Sequence, residues 1–176
     1  TGVVATANEG VYEIHFKKEL VTSGTVVPLT KNVFATTVTT VQQYAFYNCP
    51  LNGMKDGAYT DTIHTVVFTN SLASLGDYAF AHTDIESITI PSSLTQANIG
   101  SYVFAYCDKL KDIVFENEGL GDQMFIDCTG LTSLILPSGI TSIGAYAFQN
   151  CTSLETVVIP KDVLNIAEGA FANCIK

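Results

Sequence analysis

Two stretches of the chain, Leu131 to Cys151 (LTSLILPSGITSIGAYAFQNC) and Leu154 to Cys174 (LETVVIPKDVLNIAEGAFANC), superpose without a gap. The first places apolar residues at Leu131, Leu134, Leu136, Ile140, Ile143 and Phe148; the second places them at Leu154, Val157, Ile159, Val163, Ile166 and Phe171. A proline, Pro137 or Pro160, follows the third of these positions in each. The pattern Leu-x-x-Ile-x-Ile-Pro is not helical, because its last two apolar sites alternate as in a strand and the proline ends the run. The residues that follow, such as 138–150, are too few and too rich in Gly, Ser and Thr for a long helix. Turns, or one short helical turn around the Ala-Phe pair, are expected there.

Working outward, the same register recurs. Phe46, Phe80, Phe104, Phe125, Phe148 and Phe171 are separated by 34, 24, 21, 23 and 23 residues. Three positions after each comes Cys49, Thr83, Cys107, Cys128, Cys151 or Cys174, so all five cysteines belong to one column. Earlier copies begin at Leu29, Ile63, Ile85 and Leu110; the third carries an inserted residue before Ile99 and the fourth lacks two residues. A unit this short cannot bury its apolar side alone and must stack on its neighbours. The expected fold is therefore an α/β repeat solenoid, mostly strand and turn, with about six coils of ~23 residues and one parallel concave sheet. Strands about 4.8 Å apart would make it a rod segment on the order of 29 Å long, with the phenylalanines as its spine.

The expected domain organisation is a capping segment over 1–28 and a repeat array over 29–176, with an insertion at 50–62. Val11, Ile14 and Phe16, then Val26 and Val27, flank a turn signal at Ser23-Gly24 and predict a hairpin cap over the first coil. At the other end the last coil is expected to be open, either continuing into a longer array or closing against a second copy. The insertion carries two turn signals, Asn52-Gly53 and Asp56-Gly57, and reads as a surface loop; Asp56 and Asp61 do not make an EF-hand.

Composition narrows the function classes. The 176 residues carry Lys plus Arg 8 against Asp plus Glu 17, a net charge of −9, so nucleic acid and anionic lipid head groups would be repelled. At 47% hydrophobic residues the chain is too apolar to be disordered. No apolar run reaches the ~20 residues of a membrane span, and Thr1 to Gly10 lacks the order of a signal peptide, so a soluble chain without membrane insertion is expected. One cysteine per coil is the wrong spacing for paired zinc knuckles, and parallel Cβ directions oppose disulfide torsions, which predicts buried free thiols. His15, His64 and His82 fall in different units, away from any motif carboxylate. Nucleophile elbow, Walker loop and His-Glu-x-x-His are all missing, so no enzyme, cofactor or metal is expected. Asn150-Cys151-Thr152 spells a glycosylation sequon, but inside the repeat consensus, where coincidence explains it.

The full unit, Leu-x-x-Ile-x-Ile-Pro followed by Ile143-Gly144-x-Tyr146-Ala147-Phe148-x-x-Cys151, resembles the BspA-like (Treponema pallidum-type) leucine-rich repeats. The resemblance runs from about Leu29 to the C-terminus; departures are Thr83 in the Cys column and Gln123 and Gly169 in the Tyr column. It implies a secreted or surface-anchored protein, located outside the cell or on its surface, that uses its repeats for adhesion or protein binding, with no catalytic residues to carry across.

Strand alternation then points to the candidate face. The residue between the last two core positions faces outward, giving the column Val33, Val67, Thr89, Val114, Ile135, Val158; beside it runs Lys31, Thr65, Ser87, Asp112, Ser133, Thr156. Five of the first six are apolar, although β-branched residues favour strands in general. Val67, Thr89, Asp112, Val114, Ser133, Ile135, Thr156 and Val158 are the candidate partner-binding residues, for a host or extracellular-matrix protein. A structural spacer and a glycan binder are the alternatives; the latter is weakened by the lack of aromatics in these columns. Tyr44, Tyr78, Tyr102 and Tyr146 are explained by packing between coils.

Overall fold

The structure is a computed structural model that describes residues 3–8, 11–16, 32–33, 39–48, 52–55, 58–62 and 65–176. In chain order its strands are β1 (Val3–Asn8), β2 (Val11–Phe16), β3 (Asn32–Val33), β4 (Thr40–Val41), β5 (Asn52–Lys55), β6 (Ala58–Thr62) and β7 (Thr65–Val67). They continue as β8 (Ser74–Leu75), β9 (Ser87–Ile90), β10 (Asp112–Phe115), β11 (Ser133–Ile135), β12 (Ser142–Ile143), β13 (Thr156–Val158) and β14 (Asn165–Ile166).

The strands read from the Leu-x-x-Ile-x-Ile pattern pair in parallel and in register. One sheet has the order β10-β9-β7-β3, and β11 pairs with β13. Ile88 and Ile90 are buried while Thr89 between them is half-buried, the alternation expected of a strand covered on one side. A second row of very short parallel strands was not foreseen. It pairs β4 with β8 and β12 with β14, and Ile99 bridges to Leu75. Its buried members Val41, Leu75, Ile99 and Ile143 come from the segment expected to be turn or short helix. Two residues of strand per coil, set among Gly and Ser, leave little sequence signal.

Helix among the described residues is a single 3-10 turn, Gln96–Asn98, which takes up the insertion before Ile99. The α/β expectation is corrected accordingly, to strand and turn. Around each Phe the chain forms turns instead of a helical turn, because two residues per coil take left-handed backbone angles. They lie two positions before the Phe (Tyr44, Tyr78, Tyr102, Gln123, Tyr146 and Gly169) and two after it (Asn48, His82, Tyr106, Asp127, Asn150 and Asn173). Such conformations cost on the order of 1–3 kcal/mol each for a non-glycine residue. In return they aim backbone N–H groups at the next coil: Tyr78 N donates to Ser101 O at 3.0 Å, Phe80 N to Val103 O at 2.8 Å, and His82 N to Ala105 O at 2.9 Å. The same three rungs recur at Tyr146, Phe148 and Asn150, at 2.9, 2.8 and 2.8 Å.

Inside these rungs lies the phenylalanine file. Ring centroids from Phe46 to Phe80, Phe104, Phe125, Phe148 and Phe171 are 4.7, 5.5, 5.4, 5.5 and 5.5 Å apart, and all five pairs are stacked. Phe80, Phe104, Phe125 and Phe148 are fully buried. One continuous core holds them together with the strand residues Leu131, Leu134 and Leu136 and their counterparts in other copies.

Two antiparallel pairs accompany the parallel strands. β2 pairs antiparallel with β1, and Asn8 opposes Val11. Ser23, Gly24, Val26 and Val27 lie outside the described residues. The 50–62 insertion contains a second antiparallel hairpin, β5 with β6, in which Lys55 opposes Ala58 across Asp56-Gly57 and an irregularity falls at Gly53/Met54. Asp-Gly between two short strands is a strong hairpin signal, so this stretch is more than a loop.

Phe148 is sandwiched between Phe125 and Phe171, so Phe148→Ala is expected to lower the free energy of unfolding by about 3–5 kcal/mol. Denaturant titration followed by circular dichroism reads this directly, and an unchanged midpoint would show that the ring carries no core contact.

Candidate functional site

The outward strand columns assemble as the alternation required, but in two pieces. In the four-stranded sheet Val33, Val67, Thr89 and Val114 are consecutive register partners, as are Thr65, Ser87 and Asp112 beside them. In the second piece Ile135 pairs with Val158 and Ser133 with Thr156. The single sheet expected from the repeat is interrupted between β10 and β11. That break falls in the copy lacking two residues, whose shortened connection separates the strand from its Phe by fewer positions than its neighbours allow.

Three of the predicted apolar residues stand well clear of the core: Val114 is 55% exposed, Ile135 69% and Val158 51%. Asp112, Ser133 and Thr156 are exposed around them and Thr89 is half-buried. The side chains of Val67, Thr65 and Val33, and residue Lys31, lie outside the described part. The described residues thus set exposed apolar side chains beside a hydroxyl and carboxylate rim, which can cover a complementary apolar surface.

In the core, beside the phenylalanine file, the cysteine column forms a hydrogen-bonded ladder. The Sγ of Cys107, Cys128, Cys151 and Cys174 donates to the carbonyl of Phe80, Phe104, Phe125 and Phe148 at 3.3, 3.2, 3.4 and 3.2 Å. Thr83, in place of a cysteine, donates instead within its own copy, to Phe80 O at 2.8 Å, and contacts Cys107 Sγ at 3.4 Å. Cys107, Cys128 and Cys151 are buried and unbridged, and Cys174 is half-buried and unbridged; Cys49 lies outside the described residues. Burial pushes the Cys107 thiol up to about 11 and Cys151 up to about 12, and holds Cys128 well above the usual thiol range. Protonated donors of this kind suit packing, since the thiolate is the nucleophile and metal ligand. Among the described residues no group of three or more His, Cys, Asp or Glu is placed to share a metal ion.

The turn side carries a feature that the sequence reading only half recognised. Tyr44, Tyr78 and Tyr102 stack at 5.1 and 4.6 Å, as coil packing predicts. A neighbouring row, missed altogether, sets Tyr47 edge-on to His82 at 5.3 Å and stacks His82 on Tyr106 at 4.4 Å. The signal available was their position, one or two residues after Phe in successive copies. The sequon residue Asn150 is also engaged: its Nδ2 donates to Asp127 Oδ1 at 3.0 Å and its Oδ1 accepts from Asn173 at 2.8 Å. His15 and His64 side chains lie outside the described part, and His82 is exposed.

Short parallel strands, buried leucine-type columns and one Phe per turn define the class of leucine-rich repeat proteins. The family model described as BspA type Leucine rich repeat region matches residues 24–73 and 54–176 in six copies, and the chain belongs to that family. Among solved structures it is similar to a leucine-rich repeat protein from Eubacterium ventriosum, with 23% identity and a TM-score of 0.63, over 84% of this chain and 44% of the other. A leucine-rich repeat protein from Bacteroides ovatus aligns at 23% identity and a TM-score of 0.61, over 94% and 53%. A leucine rich cell surface protein from Faecalibacterium prausnitzii aligns at 21% identity and 0.60, over 98% and 47%. The chain therefore spans about half the length of these structures, and at such identities the likeness is one of fold. No curated protein matches it.

The raised thiols generate a prediction for alkaline stability. Unfolded thiols ionise around their ordinary 9, whereas the folded Cys107 and Cys151 hold their protons to about 11 and 12. Their contribution is complete below pH 9 and is lost progressively as pH rises toward 12. Unfolding midpoints are expected to fall across that window. Ellman's reagent at pH 8 should find Cys107, Cys128 and Cys151 unreactive until denaturant is added; rapid labelling of the native protein would contradict their burial.

Proposed function

We propose that this chain is a non-enzymatic interaction module of a secreted or cell-surface bacterial protein. In this reading residues 1–28 cap a right-handed solenoid over 29–176, with about six coils of ~23 residues, and the module binds a protein partner through its strand face. The observation that carries it is the exposure of Val114, beside Asp112 on β10, and of Ile135 and Val158, which pair in register beside Ser133 and Thr156. Exposed apolar side chains aligned on a rigid sheet, rimmed by polar groups, are the usual make-up of an interaction patch. Family membership and the printed description of the Faecalibacterium structure as a cell surface protein support the location. Val67 and Thr89 would extend the patch toward the first copies.

The spacer reading predicts no ligand for this face. The glycan reading needs exposed aromatic faces, and the exposed tyrosines of the turn side instead stack on one another. Ile159 and Ile166 of the last copy are 41% and 51% exposed, where their counterparts Leu136 and Ile143 are 3% and 0%; a further repeat would cover them as well as a second chain would. Solution mass against concentration tests the latter.

Pull-down from extracellular matrix and plasma, with the native chain and Ile135→Asp in parallel, tests the strand face. A partner retained by the native chain and lost by the variant, at equal thermal stability, is the expected result. Equal retention by both would remove the face from the binding site, and retention by neither favours the spacer.

A further inference from the structure

On the turn side, three side chains depart from what the repeat uses at their positions. The residue after each Phe is Ala81, Ala105, Ile126, Gln149 or Ala172, but Tyr47 in the first copy. Two after the Phe come Asn48, Asp127, Asn150 and Asn173, but His82 and Tyr106 in the second and third copies. All three departures are aromatic, and they meet. Tyr47 lies edge-on to His82 at 5.3 Å, and His82 stacks on Tyr106 at 4.4 Å. Tyr47 is also edge-on to Tyr44 and Tyr78, at 5.5 and 6.4 Å, which joins this row to the Tyr44-Tyr78-Tyr102 stack. Packing between copies does not require the second row, since the later copies stack their phenylalanines equally well with Asp127, Asn150 and Asn173 in its place. Aromatics are the costlier choice there, because His82 and Tyr106 hold a left-handed backbone that Asn and Asp adopt readily. Strain of this kind collects at functional sites. Tyr44, Tyr47 and Tyr106 are 51%, 45% and 38% exposed and His82 is exposed, so the two rows make one aromatic surface open to solvent.

The charge on this side selects the class of partner. The turn segments 39–48, 76–83, 100–107, 121–128, 144–151 and 167–174 contain Asp77, Asp122, Asp127 and Glu168 and no Lys or Arg. Asp77 and Asp122 are exposed, and each accepts a backbone N–H of the next copy through Oδ1. Asp127 takes the place after Tyr106 in the same column, and burial together with the Asp127 charge pushes the Tyr106 phenol up. Tyrosines offer a partner rigid, amphipathic contact area at little cost in side-chain entropy. Aromatic rings among carboxylates attract cations, and a guanidinium suits both groups, since its plane lies against rings while its N–H groups donate to phenol and carboxylate oxygens. We propose that this aromatic surface is a second docking site, separate from the strand face, that takes an arginine-rich segment of a protein partner against Tyr47, His82 and Tyr106 and beside Asp77 and Asp127.

Fluorescence anisotropy of a labelled octa-arginine peptide, titrated with the whole chain in about 0.15 M sodium chloride, tests it. The triple variant Tyr47→Ala/His82→Asn/Tyr106→Asn gives these positions the residues of the other copies and leaves every carboxylate in place. It is expected to unfold at or above the native midpoint and to bind the peptide about tenfold more weakly. Ile135→Asp is expected to bind it no more weakly than the native chain does, which separates this surface from the strand face. Octa-lysine is expected to bind the native chain more weakly than octa-arginine, and the triple variant equally. Equal binding of octa-arginine by the native chain and the triple variant would reduce the effect to attraction by net charge and overturn the proposal. A lower unfolding midpoint for the triple variant would make the three rings packing groups and overturn it as well. A change in tyrosine fluorescence on adding maltohexaose, with none from octa-arginine, would make the surface a glycan platform and overturn the choice of partner; the chain has no Trp to mask that signal.

Discussion

The structure depends on one contact made over and over: a phenylalanine ring lying flat on the ring of the preceding copy, at about the same separation each time, with a backbone rung on either side of it. Neither part is sufficient alone. The rungs require left-handed residues that an isolated unit would not adopt, and the rings have no dry surroundings until a neighbour supplies them. Stability is thus a property of adjacent pairs, and each copy is ordered by the next.

This constraint accounts for which substitutions the repeat tolerates. Phe never varies across the six copies, whereas the Cys column accepts Thr83, because either side chain can donate to a phenylalanine carbonyl. At the left-handed position after Phe, Asn and Asp predominate, in keeping with their ease in that conformation, and Asn173, Asn150 and Asp127 link side chain to side chain. The position before Phe accepts Tyr, Gln or Gly, since its side chain lies on the outside. Gly169 makes room for the ring of Tyr146, which a Cβ there would strike.

Variation in copy length, by contrast, is where the regular pattern gives way to something particular. The extra residue before Ile99 becomes a 3-10 turn, the longest insertion becomes a hairpin, and the copy lacking two residues breaks the strand ladder and buries the polar Asn117. A repeat that stacks by identical contacts has no freedom to specialise in its core, so its individuality collects at these mismatches and on the outward columns.

Sequence alone was enough for the period, the Phe file, the strand at the head of each copy and the outward placement of Val114, Ile135 and Val158, because spacing and alternation are one-dimensional properties. The second row of two-residue strands, the left-handed tyrosines, the pairing of β2 with the strand before it and the interruption between β10 and β11 were decided in three dimensions. Each depends on contacts between residues of different strands or copies, and no local pattern encodes them. The buried amide of Asn117 belongs with them: its burial follows from two copies of unequal length lying side by side.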